Sequence, residues 1–159
     1  MRQYDYCDVF HIFTNYYNNK LGEIPEPGRA VVVVISTKGV IDNGGFEFFM
    51  ESDFPDGTPH GNMVESYRLL GINKAAEVID EACRIVGDVV GLPYEHRKVR
   101  FDNNAKRLGE LDAVFFALSN EINDAIKLSS HNFCVSFNSS YYNKMSLLVI
   151  RLFNKFKVT

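Results

Sequence analysis

Tryptophan is absent from this 159-residue chain, and cysteine occurs only three times, as Cys7, Cys83 and Cys134. An odd, widely spaced set excludes a dense disulfide framework and fits reduced thiols. No aliphatic run is longer than Ala30–Ile35, far short of the ~20 residues that a membrane span needs. The N-terminus lacks the apolar core of a signal peptide. A cytoplasmic protein with no membrane contact is therefore expected. Basic residues are missing from Gly39 to Tyr67, and acidic ones from the last twenty positions. Internal repeats and low-complexity tracts are also lacking, and nothing in the composition is that of a disordered chain.

Metal and nucleophile chemistry finds little support. Asp53, Asp56 and His60 could line one loop, but neither a calcium nor a zinc spacing is present. Cys7 with His11, and His131 with Cys134, lie one helical turn apart, yet two ligands make no closed site. Gly44-Gly45 lacks the Lys-Ser/Thr of a phosphate loop. No cofactor is expected.

What is present is mostly helical patterning. Tyr6, Val9, Phe10, Phe13, Tyr16 and Tyr17 recur at three and four, predicting a helix from Tyr4 to Leu21 that Gly22 ends. Val31–Ile35 reads as a strand by propensity, but the apolar pattern continues to Ile41 and follows two prolines suited to a helix start. Patterning alone leaves that segment open. Gly44-Gly45 predicts a kink or helix end, with the phenylalanines after it dropping into the core. Met63, Val64, Tyr67 and Leu70 share a helical face that Gly71 terminates. Asn73 is placed to cap a helix whose inner face is Ala75, Val78, Ile79, Ala82, Cys83 and Val86.

Arg97, Lys98, Arg100, Lys106 and Arg107 fall in a polar connector, before a short helix with Leu111, Val114, Phe115 and Leu118 inside. A further helix opens at Ser119-Asn120 with Ile122, Ala125, Ile126, Phe133 and Phe137 facing inward. Lys144, Arg151, Lys155 and Lys157, among Leu147, Leu148, Ile150, Leu152, Phe153 and Phe156, make the C-terminus a basic amphipathic segment.

Three blocks resemble a known family. They are Asn43-Gly44-Gly45-Phe46-Glu47-Phe48-Phe49, then Tyr67–Ile72 with Ala75–Ala82, then Leu108–Leu118. In order and spacing they are similar to the bacterial DNA-mimic protein family of the DMP-nineteen type, a domain of unknown function. The likeness runs from about Ala30 to Asn138. Members often carry Gln where this chain has Phe48, and the tail from Ser139 has no counterpart. The resemblance implies a mainly α, compact single-domain multi-helix bundle and makes Ala30–Ile41 helical. It also implies a non-enzymatic protein that offers acidic surface, in place of phosphates, to a DNA-binding protein. Asn43, Gly44, Gly45, Phe46, Phe49 and Gly71 are then structural motif residues.

The expected organisation is a helical domain over 1–139 and an appended C-terminal amphipathic segment over 140–159. Residues 1–139 carry 20 acidic and 13 basic residues, net −7. The expected partner-binding surface is Asp42, Glu47, Glu51, Asp53, Asp56 and Glu65, read as carboxylates left unneutralised by neighbours. The expected partner is basic, a DNA-binding protein or a toxin, with no direct nucleic-acid contact; a homodimer is left open. Two other readings remain: an immunity-type toxin inhibitor, and a metal-dependent enzyme using Asp53, Asp56 and His60.

Overall fold

The computed structural model describes residues 6–18, 20–52, 59–87, 89 and 91–156, and for 6, 7, 16 and 141–156 the backbone only. Among the described residues there are seven α-helices and no strand. The order is α1 (Tyr6–Tyr16), a 3₁₀ turn (Leu21–Glu23), α2 (Gly28–Glu51), α3 (His60–Leu69), α4 (Asn73–Val86), α5 (Tyr94–Asp102), α6 (Ala105–Ala117) and α7 (Ser119–Phe156). Among the described residues no helix is long and apolar enough to cross a membrane.

The valine run is helical because of where it lies. α2 packs against α1, α3, α5, α6 and α7, and Ala30, Val31, Val32, Val33, Val34 and Ile41 are all buried. Every residue from 30 to 34 is buried, so this stretch has no polar face to show and its sequence loses the usual amphipathic alternation. Each valine gives up at most ~0.7 kcal/mol of helix propensity. Full burial of its side chain returns ~1.5–3 kcal/mol, and burial wins. Glu26 closes the helix start: its Oε2 accepts from the Ala30 N–H at 3.1 Å while Oε1 accepts from Arg29 Nε at 2.7 Å.

α1 stops at Tyr16, five residues before the expected end. Asn18 takes a left-handed conformation with φ 49°, which asparagine tolerates better than most residues. Gly22 does not end α1; it sits within the separate 3₁₀ turn. Of the aromatic stripe Val9 and Phe13 are buried, joined by Ile12, which the stripe did not include; Tyr4 and the side chains of Tyr6 and Tyr16 lie outside the described residues.

α3 and α4 form a tight hairpin. Gly71, φ 78°, donates to Arg68 O at 2.9 Å, and Ile72 N–H donates to Tyr67 O at 2.9 Å. This is the Schellman pairing, with glycine at its left-handed position. The turn is so short that Ile72 also opens α4, its carbonyl accepting from Ala76 N at 3.0 Å. Asn73 therefore occupies the first helical position rather than the cap, and no side-chain cap bond forms. The expected polar connector is instead helix α5 and the start of α6. In α6, Leu108, Leu111 and Phe115 are buried, but Val114 is exposed. α7 opens at Ser119 as expected, and its helical backbone continues through 139–140 to Phe156.

Candidate functional site

Site geometry begins at the paired glycines. Gly44 and Gly45 break the helical backbone inside α2, Gly45 with φ 65° and ψ −161°. Only glycine adopts that region readily. A Cβ on Gly45 would lie 2.5 Å from Asp112 Oδ2, and one on Gly44 would lie 2.6 Å from Phe48 Cβ. The kink restarts the helix with an N–H that has lost its intrahelical partner. Asp112 of α6 supplies the acceptor, its Oδ1 2.7 Å from Phe46 N. Two separated motif blocks thus meet in a single tertiary cap. Burial pushes the Asp112 carboxyl above its ordinary range, and nearby Glu47 adds to this, while the Phe46 hydrogen bond opposes it.

On either side of the kink the motif residues divide. Asn43 donates back to Gly39 O at 2.7 Å and so finishes the first segment. Phe46 and Phe49 are fully buried, edge-to-face at 5.8 Å, and Phe46 also meets Phe115 at 6.0 Å. Phe48 departs from expectation, since it stays 47 % exposed. It follows Glu47 on the outer side of the restarted helix, two residues from Phe46 and hence off its face.

The acidic stretch is less bare than its sequence suggests. Asp42 is paired with Lys38, Glu65 with Arg68 at 2.6 Å, and Glu47 with Lys98 at 3.8 Å. Glu51 is half-buried and takes a hydrogen bond from Tyr94, whose phenol it holds above the usual range. Asp53 and Asp56 lie outside the described residues. The reading of these carboxylates as unneutralised is therefore corrected at Asp42, Glu47 and Glu65. Lys38 and Arg68 lie immediately outside the 39–67 segment, one helical turn from their partner carboxylates, and the fold brings Lys98 from α5. Asp42, Glu47 and Glu65 nevertheless remain exposed. Lys98 is shared: Asp102, at 3.4 Å, is the larger cause of its raised pKa and Glu47 the smaller.

Sequence reasoning passed over Glu77, Glu121 and Asp124, and read Asp80 only as an i,i+4 partner of Arg84, a pair that does not form. Glu77 and Asp80 on α4, and Glu121 and Asp124 on α7, are exposed and have no cation within 4 Å among the described residues. Their signal was spacing on an outer helical face, masked by the mixed charge of the surrounding sequence. The basic residues of the 97–107 stretch are mostly engaged. Arg97 is buried and reaches Ser52 O at 3.4 Å, Arg100 reaches Val86 O at 3.3 Å, and Arg107 bridges Glu81 and Glu110.

Of the Asp53, Asp56 and His60 set only His60 lies among the described residues. The His60 ring stacks on Phe49 at 5.0 Å, and no cluster of three metal-ligating residues occurs among the described residues. Burial, with Asp80 alongside, pushes the Cys83 thiol up to about 12. It is a protonated thiol at neutral pH, the opposite of an activated nucleophile.

No curated protein matches the chain, and no solved structure does. A family model described as DMP19-like protein matches residues 22–132, well over half of the sequence. That interval holds the kinked α2, its Asp112 cap and the α3–α4 hairpin, and on this match the chain belongs to the DMP19-like protein family.

Proposed function

We propose that this protein acts without catalysis, by protein–protein contact, offering the acidic surface of its helical body to a basic DNA-binding partner as a substitute for nucleic-acid phosphates. The observation carrying this reading is charge segregation: residues 1–139 hold a net −7 although the whole chain holds only −3. Family membership is consistent with it.

Neighbouring cations weaken the surface only modestly. Exposed ion pairs are worth ~0–1 kcal/mol, so Glu47 and Glu65 can exchange Lys98 and Arg68 for a denser array of partner lysines and arginines. Asp42 is the poorest contributor, because the Lys38 side chain beneath it is largely buried. Glu77, Asp80, Glu121 and Asp124 extend the acidic surface beyond the glycine region. Duplex DNA offers about one charge per 1.7 Å of axis, and a protein built to match it is drawn to repeated carboxylates.

The test is affinity capture from native cytosol with salt elution, followed by a binding series on the recovered protein. The expected result is a basic DNA-binding protein whose affinity falls steeply with ionic strength and whose DNA is displaced. An affinity indifferent to salt would count against the proposal.

A further inference from the structure

We propose that Asn43 is a deamidation site that the native fold keeps shut, and that local opening of the α2 kink is the step that exposes it. The proposal is independent of the DNA-mimic reading, because it concerns the covalent chemistry of one side chain.

Asn43-Gly44 is the only Asn-Gly step in the chain. Glycine carries no side chain to shield its backbone nitrogen, and Asn43 and Gly44 are both exposed to water. In a free chain such a pair modifies itself. The Gly44 nitrogen gives its proton to water and attacks Asn43 Cγ. The N–Cγ bond forms, the Cγ–Nδ2 bond breaks, and the amide group takes up a proton and leaves as ammonia. Water then opens the cyclic imide at one of its two carbonyls, giving aspartate or isoaspartate. Either product sets a new carboxylate next to Asp42. Isoaspartate also lengthens the main chain by one methylene directly before the kink, a change that the fold has no means to reverse.

Ring closure is opposed on both flanks of the 43–44 peptide. Asn43 is itself helical, since within α2 only Gly44 and Gly45 leave the helical region. Helical geometry turns the following N–H along the axis towards the carbonyl four residues back, and so away from the Asn43 side chain. The carboxamide is held as well: Nδ2 donates to Gly39 O at 2.7 Å, which draws the side chain back over the preceding turn. Beyond the glycines, Asp112 Oδ1 accepts from Phe46 N at 2.7 Å and pins the restarted helix. The same carboxylate sits where a Cβ on Gly45 would be, its Oδ2 2.5 Å away. With Gly39 on one side and Asp112 on the other, the peptide is not free to swing towards Cγ. Opening one such segment costs less than unfolding the molecule, so the kink sets the rate.

Peptide mapping by mass spectrometry tests this on the full chain, incubated at neutral pH and sampled over time for ammonia loss at Asn43. Chain unfolded in guanidinium chloride is expected to convert, and native protein to convert about tenfold or more slowly. Asp112→Ala, which removes the acceptor of Phe46 N–H, is expected to speed native conversion about two- to thirtyfold, the population shift that loss of a cap gives. Gly71→Ala strains the distant α3–α4 turn, where φ is 78°, and is expected to leave the rate at the wild-type value. Equal rates in native and unfolded chain would overturn the proposal, as would an unfolded chain that stays intact at Asn43. Acceleration by Gly71→Ala matching that by Asp112→Ala would assign the reaction to global unfolding and overturn the kink as its gate, and so would an Asp112→Ala rate equal to that of the wild type.

Discussion

At the scale of single residues, Gly45 and Asp112 are the most constrained pair in the protein. Any side chain at 45 meets an unfavourable backbone region worth ~1–3 kcal/mol and also displaces the carboxylate that caps Phe46. Gly45→Ala is expected to lower stability by at least ~2 kcal/mol on that strain scale, read as a lower urea midpoint. Asp112→Ala leaves the Phe46 N–H without its acceptor and is expected to cost ~0.5–2 kcal/mol, the range for a lost cap. Asp112→Asn keeps an acceptor oxygen and should retain most of that stability.

The pH dependence separates the wild type from both variants, neither of which titrates at position 112. Because the folded state raises the carboxyl above its unfolded value, the native protein binds the proton more tightly. This contribution is fully present below the ordinary aspartate pKa of about 3.9 and is lost as pH rises through the raised one. Relative to Asp112→Asn, the wild type should therefore lose stability across that acidic window. Urea midpoints taken at a series of pH values check the sign; a wild type gaining stability there relative to the variant would contradict it.

At the scale of elements, the α3–α4 hairpin depends on a left-handed Gly71. No atom lies within 4 Å of where its Cβ would be, so a substitution there meets backbone strain and no collision. Gly71→Ala is accordingly expected to cost ~1–2 kcal/mol, less than Gly45→Ala, where both penalties act. α2 carries a different kind of constraint. Its faces are shared among five neighbouring helices, so a polar residue at Val31 or Val34, both fully buried, would lack any route to solvent.

For the whole molecule, the decisive property is the separation of charge between an acidic body and a cationic C-terminal stretch. Glu77→Gln with Asp80→Asn is expected to weaken binding to a basic partner while leaving the thermal midpoint nearly unchanged, because both residues are exposed. Calorimetry and binding measured on the same preparation check this. Cys83 offers a readout of global folding. Its thiol titrates only at about 12, so alkylation at neutral pH should be slow in the native state and accelerate with unfolding.

Local patterning determined much of this protein by itself. The helical faces of α3, α4 and α7, the start at Ser119 and the glycine that closes α3 follow from spacings of three and four and from backbone freedom, all of which act between near neighbours. The kink at Gly44-Gly45 was legible for the same reason, and Phe48 was misplaced because two residues after Phe46 is the wrong step for a shared helical face. Tertiary structure alone decided what depends on distant partners. The valine run became a helix only because tertiary packing buries every residue from 30 to 34, and Asp112 became a cap only because α6 crosses the kink, 66 residues along the chain. Electrostatics followed the same rule. A base-free segment in one dimension acquired Lys98 in three, since Coulomb attraction depends on distance in space and is blind to position in the sequence.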